Sequence, residues 1–248
     1  MKITRIISHI LQYDMPERLG YSQQYYAKRT AHLVEVRTDE GITGWGECFG
    51  PGNVALANKV IVEKVIAPLA IGRDPLDRSV IWHQAYNLLR DHGQKGMPIQ
   101  SLSGVDIALW DIAGKIADLP LCKMIGGKFR NQLPVYGYGM MLKREDTSSH
   151  VSRFRDEAQA IRDAGFAATK MKVGLGARDD TRLAAAVRDG VGEDFPFMVD
   201  ANHCYSVDEA LIVGHALDEL GAYWFEEPVA PEDLDGYRHL RSKLKTRI

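Results

Sequence analysis

The sequence Thr169-Lys170-Met171-Lys172-Val173 (TKMKV) follows Gly-Phe-Ala-Ala and precedes Gly-Leu-Gly, which predicts a short strand that ends in a turn. Residues two apart in a strand point to the same side, so Lys170 and Lys172 share one face. Burying lysine on an interior strand is unfavourable unless its charge is paired. The lysine pair therefore predicts that oppositely charged groups lie beside this strand.

Strands and helices alternate along the chain from about residue 133. The predicted strands are residues 133–138, 166–173, 195–200 and 222–227, with the start of another at 246–248. The predicted helices are residues 149–164, 179–189, 206–221 and 231–244. The third of these helices opens on a capping box formed by Ser206 and Glu209. This alternation predicts parallel βα units, either in a doubly wound sheet or in part of a (β/α)8 barrel.

The first third of the chain has a different pattern, which predicts an antiparallel sheet followed by helices. Predicted strands cover residues 3–13, 31–37 and 42–47, and predicted loops cover residues 16–30 and 48–53. Helices are predicted at residues 54–71, 76–90 and 101–117. Small residues in the last helix would let it pack closely, and its apolar stripe comprises Leu102, Val105, Leu109, Ile112 and Ile116.

Polar residues stand at the C-terminal ends of three successive predicted strands: Lys172, Asp200 and Glu226. Their separations are 28 and 26 residues, about one βα unit each. Active sites of (β/α)8 barrels gather at the C-terminal ends of the strands, so we expect these side chains to converge. In that arrangement the two lysines would face carboxylates, which would compensate for their burial.

The predicted cluster has the chemistry needed to remove a proton next to a carboxylate. Asp200 and Glu226 supply the oxygen ligands that Mg²⁺ prefers, and this ion commonly completes its shell with water and substrate oxygens. A lysine beside a second cation has a lowered pKa, because a like charge disfavours its protonated form. Such a lysine acts as a base near neutral pH, and the ion stabilises the resulting enediolate.

Each of these residues also has a simpler interpretation. A Lys-x-Lys pair is more often a solvated strand edge, Asp200 fits a strand-to-helix cap, and Glu226 fits a charged loop rim. His203 fits an ordinary loop histidine, and the tyrosines of residues 16–30 fit packing positions. The regular spacing favours a joint site, since independent surface charges would not repeat at successive strand ends.

The motifs SLSGVDIALWDIAGK, PLCKMIGG, TKMKV, VDANHCYS and WFEEP, in this order, resemble the mandelate racemase and muconate lactonizing branch of the enolase superfamily. The resemblance covers essentially the whole chain. It implies an enolase-like α/β fold, with an N-terminal α+β capping domain at residues 1–126. Residues 127–248 would form the first half of a TIM-type (β/α) barrel, truncated within its fifth strand. A lysine base working with Mg²⁺ is known for enolase-superfamily sites, so that pairing belongs to the resemblance as well.

The resemblance also implies residue roles. Lys172 would be the acid/base, and Lys170 would lower its pKa or hold the substrate carboxylate. Asp200 and Glu226 would be two Mg²⁺ ligands. The residues expected to contact substrate are Asn202, Tyr21 and Tyr26. The family's third metal carboxylate and its opposite-face acid/base would fall beyond residue 248, so we expect the chain to be part of a longer protein.

Members of this family racemise, epimerise, cycloisomerise or dehydrate carboxylate substrates after the same proton abstraction. The polar, tyrosine-bearing stretch GYSQQYYAKRT (residues 20–30) favours a hydroxylated substrate, and hence acid-sugar dehydration to a 2-keto-3-deoxy acid. A racemase or epimerase of a 2-hydroxy or amino acid derivative is the alternative. A third interpretation is an inactive fragment or pseudoenzyme with a binding or assembly role.

The composition excludes other classes of protein. With a net charge of −2, the chain has no overall field that would attract nucleic acid or an anionic membrane. No apolar run reaches the ~18 residues of a membrane span, and the N-terminus has no signal-peptide pattern. Three widely spaced cysteines form neither a zinc pattern nor a disulfide framework, which favours a reducing cytoplasm. The resemblance adds the expectation of a homo-oligomer that acts on a small carboxylate substrate.

Overall fold

The computed structural model describes residues 1–22 and 24–248. The chain divides into two compact units. The first unit comprises Met1–Met15 and Lys28–Asn131, and the second unit comprises Pro16–Ala27 and Gln132–Ile248. The predicted division into residues 1–126 and 127–248 stays a prediction. No helix in the described part of the chain is both long and apolar enough to cross a membrane.

An antiparallel sheet forms near the N-terminus, with strands in the order β1 (Ile3–Tyr21), β2 (Gln24–Thr38) and β3 (Thr43–Cys48). β2 and β3 pair in antiparallel register, as the turn between them predicted. The alternation of apolar and polar residues along β2 predicted one buried face. Val34 and Val36 occupy that face and are fully buried.

The loop predicted at residues 16–30 is wrong, because most of this stretch belongs to the long strands β1 and β2. Residue 23, within the predicted loop, lies outside the described residues. The polar composition concealed the strands, since main-chain pairing needs no apolar face. Gly20 shows this pairing: its N–H donates to Leu142 O at 2.7 Å, and the Leu142 N–H donates back to Gly20 O at 3.0 Å.

Helices follow the sheet in the first unit. α1 (Val54–Val60) continues into a π-helical segment (Ile61–Ile66) and then into α2 (Ala67–Ala70). The helix predicted at residues 54–71 therefore contains a change of hydrogen-bond pattern. The remaining helical elements of this unit are α3 (Arg78–Leu89), a 3₁₀ turn (Arg90–His92), α4 (Met97–Ala117) and α5 (Leu121–Met124).

α4 packs closely on β3, as its small residues predicted. A Cβ atom added to Gly46 would lie 2.0 Å from the carbonyl oxygen of Gly104, and one added to Gly44 would lie 2.1 Å from that of Ala108. Glycine is therefore required where the helix crosses the strand. The predicted apolar stripe of α4 is buried except at Ile116, which is 38% exposed, so including this residue in the stripe was wrong.

The second unit contains a four-stranded parallel sheet in the order β4-β5-β6-β7. Its elements in chain order are β4 (Gly137–Tyr138), α6 (Thr147–Asp163), β5 (Thr169–Lys172), α7 (Ala177–Val191), β6 (Phe197–Asp200), α8 (Val207–Glu219), β7 (Trp224–Glu226) and α9 (Leu234–Lys243). The predicted alternation of strands and helices is confirmed, although the strands are shorter than predicted. Within the predicted strand at 246–248, Arg247 forms a parallel bridge with Trp224. Strand order and direction match part of a (β/α) barrel.

The two faces of β5 have different environments. Met171 is fully buried in the apolar core of the second unit, whereas Lys170 and Lys172 project from the opposite face of the strand. Helix α8, which follows β6, begins with the predicted capping box, in which Ser206 and Glu209 bond each other's main-chain N–H groups. The sequence pattern thus fixes both the face on which the lysines lie and the end of the sheet at which they meet other strands.

Candidate active site

The Lys170 ammonium lies between two carboxylates of the second unit. Its Nζ is 3.2 Å from Asp200 Oδ2 and lies 3.0 and 2.9 Å from the two carboxylate oxygens of Glu226. Lys170 and Asp200 are 7% and 2% exposed, so most water is excluded from these charges. The buried lysine is therefore paired with carboxylates, as the sequence predicted.

Lys172 belongs to the same cluster. Its Nζ donates to Asp200 Oδ2 and to Asn202 Oδ1, the latter at 2.7 Å, and lies 5.9 Å from the ring centroid of Tyr21. Parallel pairing brings these residues together, because Lys172 lies opposite Asp200, which in turn lies opposite Glu226. The predicted convergence of strand-end residues is observed, and their catalytic roles stay predictions.

Aromatic rings at β4 flank the lysines and were missed from the sequence. The Tyr138 ring centroid lies 5.7 Å from Lys170 Nζ and 5.8 Å from Lys172 Nζ, and the Tyr136 centroid lies 5.8 Å from Lys170 Nζ. These distances allow cation–π attraction. Tyr136 and Tyr138 are two residues apart in a predicted strand, and this spacing was the sequence signal that could have placed them on one face. Tyr26, predicted to contact substrate, lies on β2 with a partly buried side chain, and its role stays a prediction.

Electrostatics keep Lys170 positively charged. Burial lowers the pKa of Lys170, but hydrogen bonds to Glu226 and the charges of Asp200 and Glu226 outweigh burial and raise the pKa above its ordinary value. A fixed cation beside Lys172 is what the predicted helper role requires. The Glu226 carboxylate also accepts a hydrogen bond from Trp224, whose Nε1–H donates to Oε2 at 3.0 Å.

Asp200 and Glu226 fit two positions of a Mg²⁺ shell. Their oxygens are hard donors at the ends of paired strands, and they hold one cation, the Lys170 ammonium, between them. Within residues 1–22 and 24–248, no group of three or more histidine, cysteine or acidic side chains is arranged to hold a metal. Two carboxylates at neighbouring strand ends fit an ion that keeps several water or substrate oxygens, as Mg²⁺ commonly does.

A second polar cluster adjoins Lys172. Asn202 was predicted from the sequence as a site residue, but the contacts of Asn202 and His203 with Glu227 were not predicted. Asn202 Nδ2 donates to Glu227 Oε2 at 3.2 Å, and His203 Nε2 lies 3.3 Å from the same oxygen. All three residues have left-handed backbone conformations, with φ of 46° at Asn202, 65° at His203 and 49° at Glu227. Non-glycine residues rarely adopt this conformation, and no spacing in the sequence indicates it.

Asp180 joins two of the loops that follow the strand ends. Its fully buried carboxylate accepts three main-chain N–H bonds of 3.0 Å, from Gly174, Leu175 and Gly176. The Tyr205 hydroxyl donates to it at 2.6 Å. Burial raises the pKa of Asp180 above its ordinary value despite these bonds. The loop after β5 is thereby tied to the loop after β6.

Family models match both the N-terminal and the C-terminal part of the chain. One family model, "Mandelate racemase / muconate lactonizing enzyme, N-terminal domain", matches residues 11–126, and a second, "Enolase C-terminal domain-like", matches residues 153–248. D-galactarolactone cycloisomerase of Agrobacterium fabrum is 40% identical over 242 residues, which cover 98% of this chain and 62% of that protein. Arabinonate dehydratase of Saccharolobus solfataricus is 34% identical over 216 residues, which cover 87% of this chain and 57% of that protein.

Solved structures agree with these matches. A racemase from Streptomyces coelicolor A3(2) with bound magnesium superposes with a TM-score of 0.90 at 30% sequence identity. The superposition covers 98% of this chain and 67% of the racemase chain. The present chain thus spans about three fifths of the length of the two curated relatives.

Proposed function

Because the chain belongs to the mandelate racemase and muconate lactonizing enzyme family of the enolase superfamily, we propose that it acts in Mg²⁺-dependent removal of the proton next to a substrate carboxylate, through an enediolate. The reaction we favour is dehydration of an acid sugar to a 2-keto-3-deoxy acid. The observation that carries the proposal is the buried cluster of Lys170, Lys172, Asp200 and Glu226 at the strand ends.

Lys172 is the proposed acid/base. An ammonium has three N–H donors, and Asp200 and Asn202 accept two of those of Lys172, which leaves one direction for the substrate. Lys170, as a fixed positive charge, assists Lys172 or binds the substrate carboxylate. Asp200 and Glu226 would hold Mg²⁺, which when bound supplies electrophilic stabilisation of negative charge on the substrate.

A hydroxylated substrate suits the polar and aromatic surroundings of the lysines. Tyr21 and Tyr138 both lie within about 6 Å of Lys172 Nζ. We propose that Asn202, Tyr21 and Tyr26 contact the substrate. The name of the relative arabinonate dehydratase describes the same class of substrate and reaction. The expected homo-oligomer and cytoplasmic location remain predictions.

Two other reactions share the same first step. Cycloisomerisation of a sugar lactone is the second candidate, because the relative with 40% identity is D-galactarolactone cycloisomerase. Racemisation or epimerisation is supported by the structural match to a racemase with bound magnesium. An inactive protein with a binding or assembly role would carry out none of these steps.

The test is to incubate the protein with Mg²⁺ and a library of acid sugars and sugar lactones in deuterated water. Dehydration gives a product lighter by one water. Racemisation gives deuterium at the α-carbon without loss of water, and cycloisomerisation gives an isomer with altered connectivity. Mass spectrometry and proton NMR distinguish these outcomes. Absence of any turnover by the wild-type protein would favour the inactive alternative.

Substitution of the proposed base tests the site itself. Lys172→Ala should abolish α-proton exchange while circular dichroism shows an intact fold. Lys64→Ala changes an exposed lysine of the first unit and should retain full exchange. Full exchange in Lys172→Ala would disprove the assignment of the base.

A further inference from the structure

The loops after β6 and β7 meet in a strained arrangement beside Lys172. Left-handed backbone at Asn202, His203 and Glu227 costs conformational energy, and such strain persists where surrounding contacts impose it, often at functional sites. Two bonds from main-chain N–H groups hold it here. The His203 N–H donates to Glu227 O at 2.7 Å, and the Asn202 N–H donates to Asp200 Oδ1 at 3.0 Å.

This backbone geometry places the Asn202 amide between two charged groups. Its Oδ1 is 2.7 Å from Lys172 Nζ, and its Nδ2 is 3.2 Å from Glu227 Oε2. An ammonium has only donors and a carboxylate has only acceptors. The amide can satisfy both neighbours in one orientation alone, with its oxygen toward Lys172.

His203 contacts the same carboxylate oxygen of Glu227. Its Nε2 lies 3.3 Å from Glu227 Oε2, and its Nδ1 lies 3.3 Å from Val229 O. Glu227 and His203 are 40% and 34% exposed, whereas Lys172 is buried. The chain of contacts therefore runs inward from partly exposed groups to the proposed base.

We propose that Glu227 is a positioning residue, which fixes the orientation of the Asn202 amide and through it the direction of the Lys172 Nζ. Asp200 and Asn202 together define two of the three N–H directions of Lys172, and thereby the third. Loss of Glu227 removes one contact that orients the Asn202 amide, and with it part of the constraint on the direction of the Lys172 Nζ. The proposal rests on the proposed function for its catalytic consequence, although the positioning itself does not require turnover.

The first experiment measures positioning without activity. The protein is labelled briefly with acetic anhydride, and peptide mass spectrometry gives the ratio of acetylation at Lys172 to that at Lys170. Lys170 is the internal reference, because its bonds go to Asp200 and Glu226 instead of Asn202. Loss of one charged hydrogen bond should raise the ratio about tenfold in Glu227→Ala. Asn202→Ala should give the same rise.

A matched substitution separates position from charge. Glu227→Gln removes the charge but keeps an oxygen that accepts from Asn202 Nδ2, so it should leave the acetylation ratio within about twofold of the wild-type value. Glu219→Ala removes an exposed carboxylate at the end of α8 and should leave the ratio unchanged. An unchanged ratio in Glu227→Ala, or an equal rise in Glu227→Gln and Glu227→Ala, would overturn the proposal.

The second experiment uses steady-state kinetics with a substrate found in the library. Glu227→Ala should lower kcat about tenfold with little change in KM, and the double variant with Asn202→Ala should be no slower than Asn202→Ala alone. Additive losses in kcat would show that Glu227 does not act through Asn202. If Lys172→Ala retained exchange, the proposed function would fail, whereas the acetylation ratio would still report whether Glu227 positions Lys172.

Discussion

Replacing Lys170 with methionine tests the charge cluster most directly, because the substitution keeps an unbranched side chain of nearly the same length and removes its charge. Lys170 makes three contacts of 2.9–3.2 Å with Asp200 and Glu226, and its side chain is 9% exposed. Removing one partner of a buried ion pair costs about 3–5 kcal/mol. Here Asp200 keeps Lys172, and the Glu226 side chain is 33% exposed, so water takes up part of the lost pairing. We therefore expect a loss of about 2 kcal/mol.

Mg²⁺ should reverse this loss. In the wild-type protein the Lys170 ammonium bonds the oxygens of Asp200 and Glu226 that would ligate an ion, so the two cations compete. Lys170→Met removes the competitor, and binding at ~100 times Kd would contribute about 2.7 kcal/mol of stability. The ion should therefore stabilise the variant more than it stabilises the wild-type protein.

Thermal unfolding followed by circular dichroism, with chelator and with saturating Mg²⁺, measures both effects. In chelator, a loss of about 2 kcal/mol corresponds to a midpoint lower by ~4–8 °C for a protein of this size. Lys64→Met, at an exposed position, is the matched control and should leave the midpoint unchanged. The reasoning is refuted if Lys170→Met has the wild-type midpoint in chelator, or if Mg²⁺ raises both midpoints equally.

Three further predictions concern other contacts. Trp224 is the tryptophan of the second unit, and its indole N–H donates to Glu226. Binding of Mg²⁺ at Glu226 should therefore change tryptophan fluorescence during a Mg²⁺ titration. If the change persisted in Trp224→Phe, binding at Glu226 would be contradicted. Gly46→Ala should lower the free energy of unfolding by about 3 kcal/mol in urea denaturation, because its Cβ would lie 2.0 Å from Gly104 O. If this variant were as stable as the wild-type protein, α4 and β3 would be able to move apart at little cost. The pKa of buried His32 is lowered from 6.5, chiefly by burial, which disfavours its charged form. The folded protein therefore binds this proton less readily than the unfolded chain, so stability should fall as the pH drops below about 6.5 and level off below the folded-state pKa. His32→Leu should lose less stability than the wild-type protein between pH 7.5 and 5.5, and an equal loss would exclude His32 as the cause.

The strand-end residues could be predicted from the sequence because parallel βα units repeat at regular length. That repeat places Lys172, Asp200 and Glu226 at equivalent strand ends, and the parallel register sets them side by side. Alternation along β5 fixed the common face of its two lysines in the same way. The βα repeat and the strand alternation can be predicted because both follow from the local geometry of helices and strands.

The strand segments at residues 16–21 and 24–30 and the π-helical segment Ile61–Ile66 could not be predicted for a physical reason. Polar residues predominate in these strand segments, and pairing there uses main-chain bonds such as those between Gly20 and Leu142. The π segment contains the same apolar spacing as the α-helices on either side, so residue types do not distinguish its hydrogen-bond pattern. The bonds between Gly20 and Leu142 join residues far apart in the sequence, which local patterns do not reveal.

The contacts that support the site are hidden from the sequence because each residue also fits an ordinary local role. Asp180 fits a first-turn acid of α7 and Tyr205 fits a core aromatic, yet a bond of 2.6 Å between them joins the loops that follow β5 and β6. Glu227 likewise fits a polar loop residue, yet its backbone is left-handed and its carboxylate accepts a bond from Asn202. The positions of the strand ends determine which charged side chains meet in the site. The loop contacts determine how tightly the orientations of those side chains are constrained. Substitutions in the loops should therefore change rate more than binding, and substitutions of the strand-end carboxylates should change both.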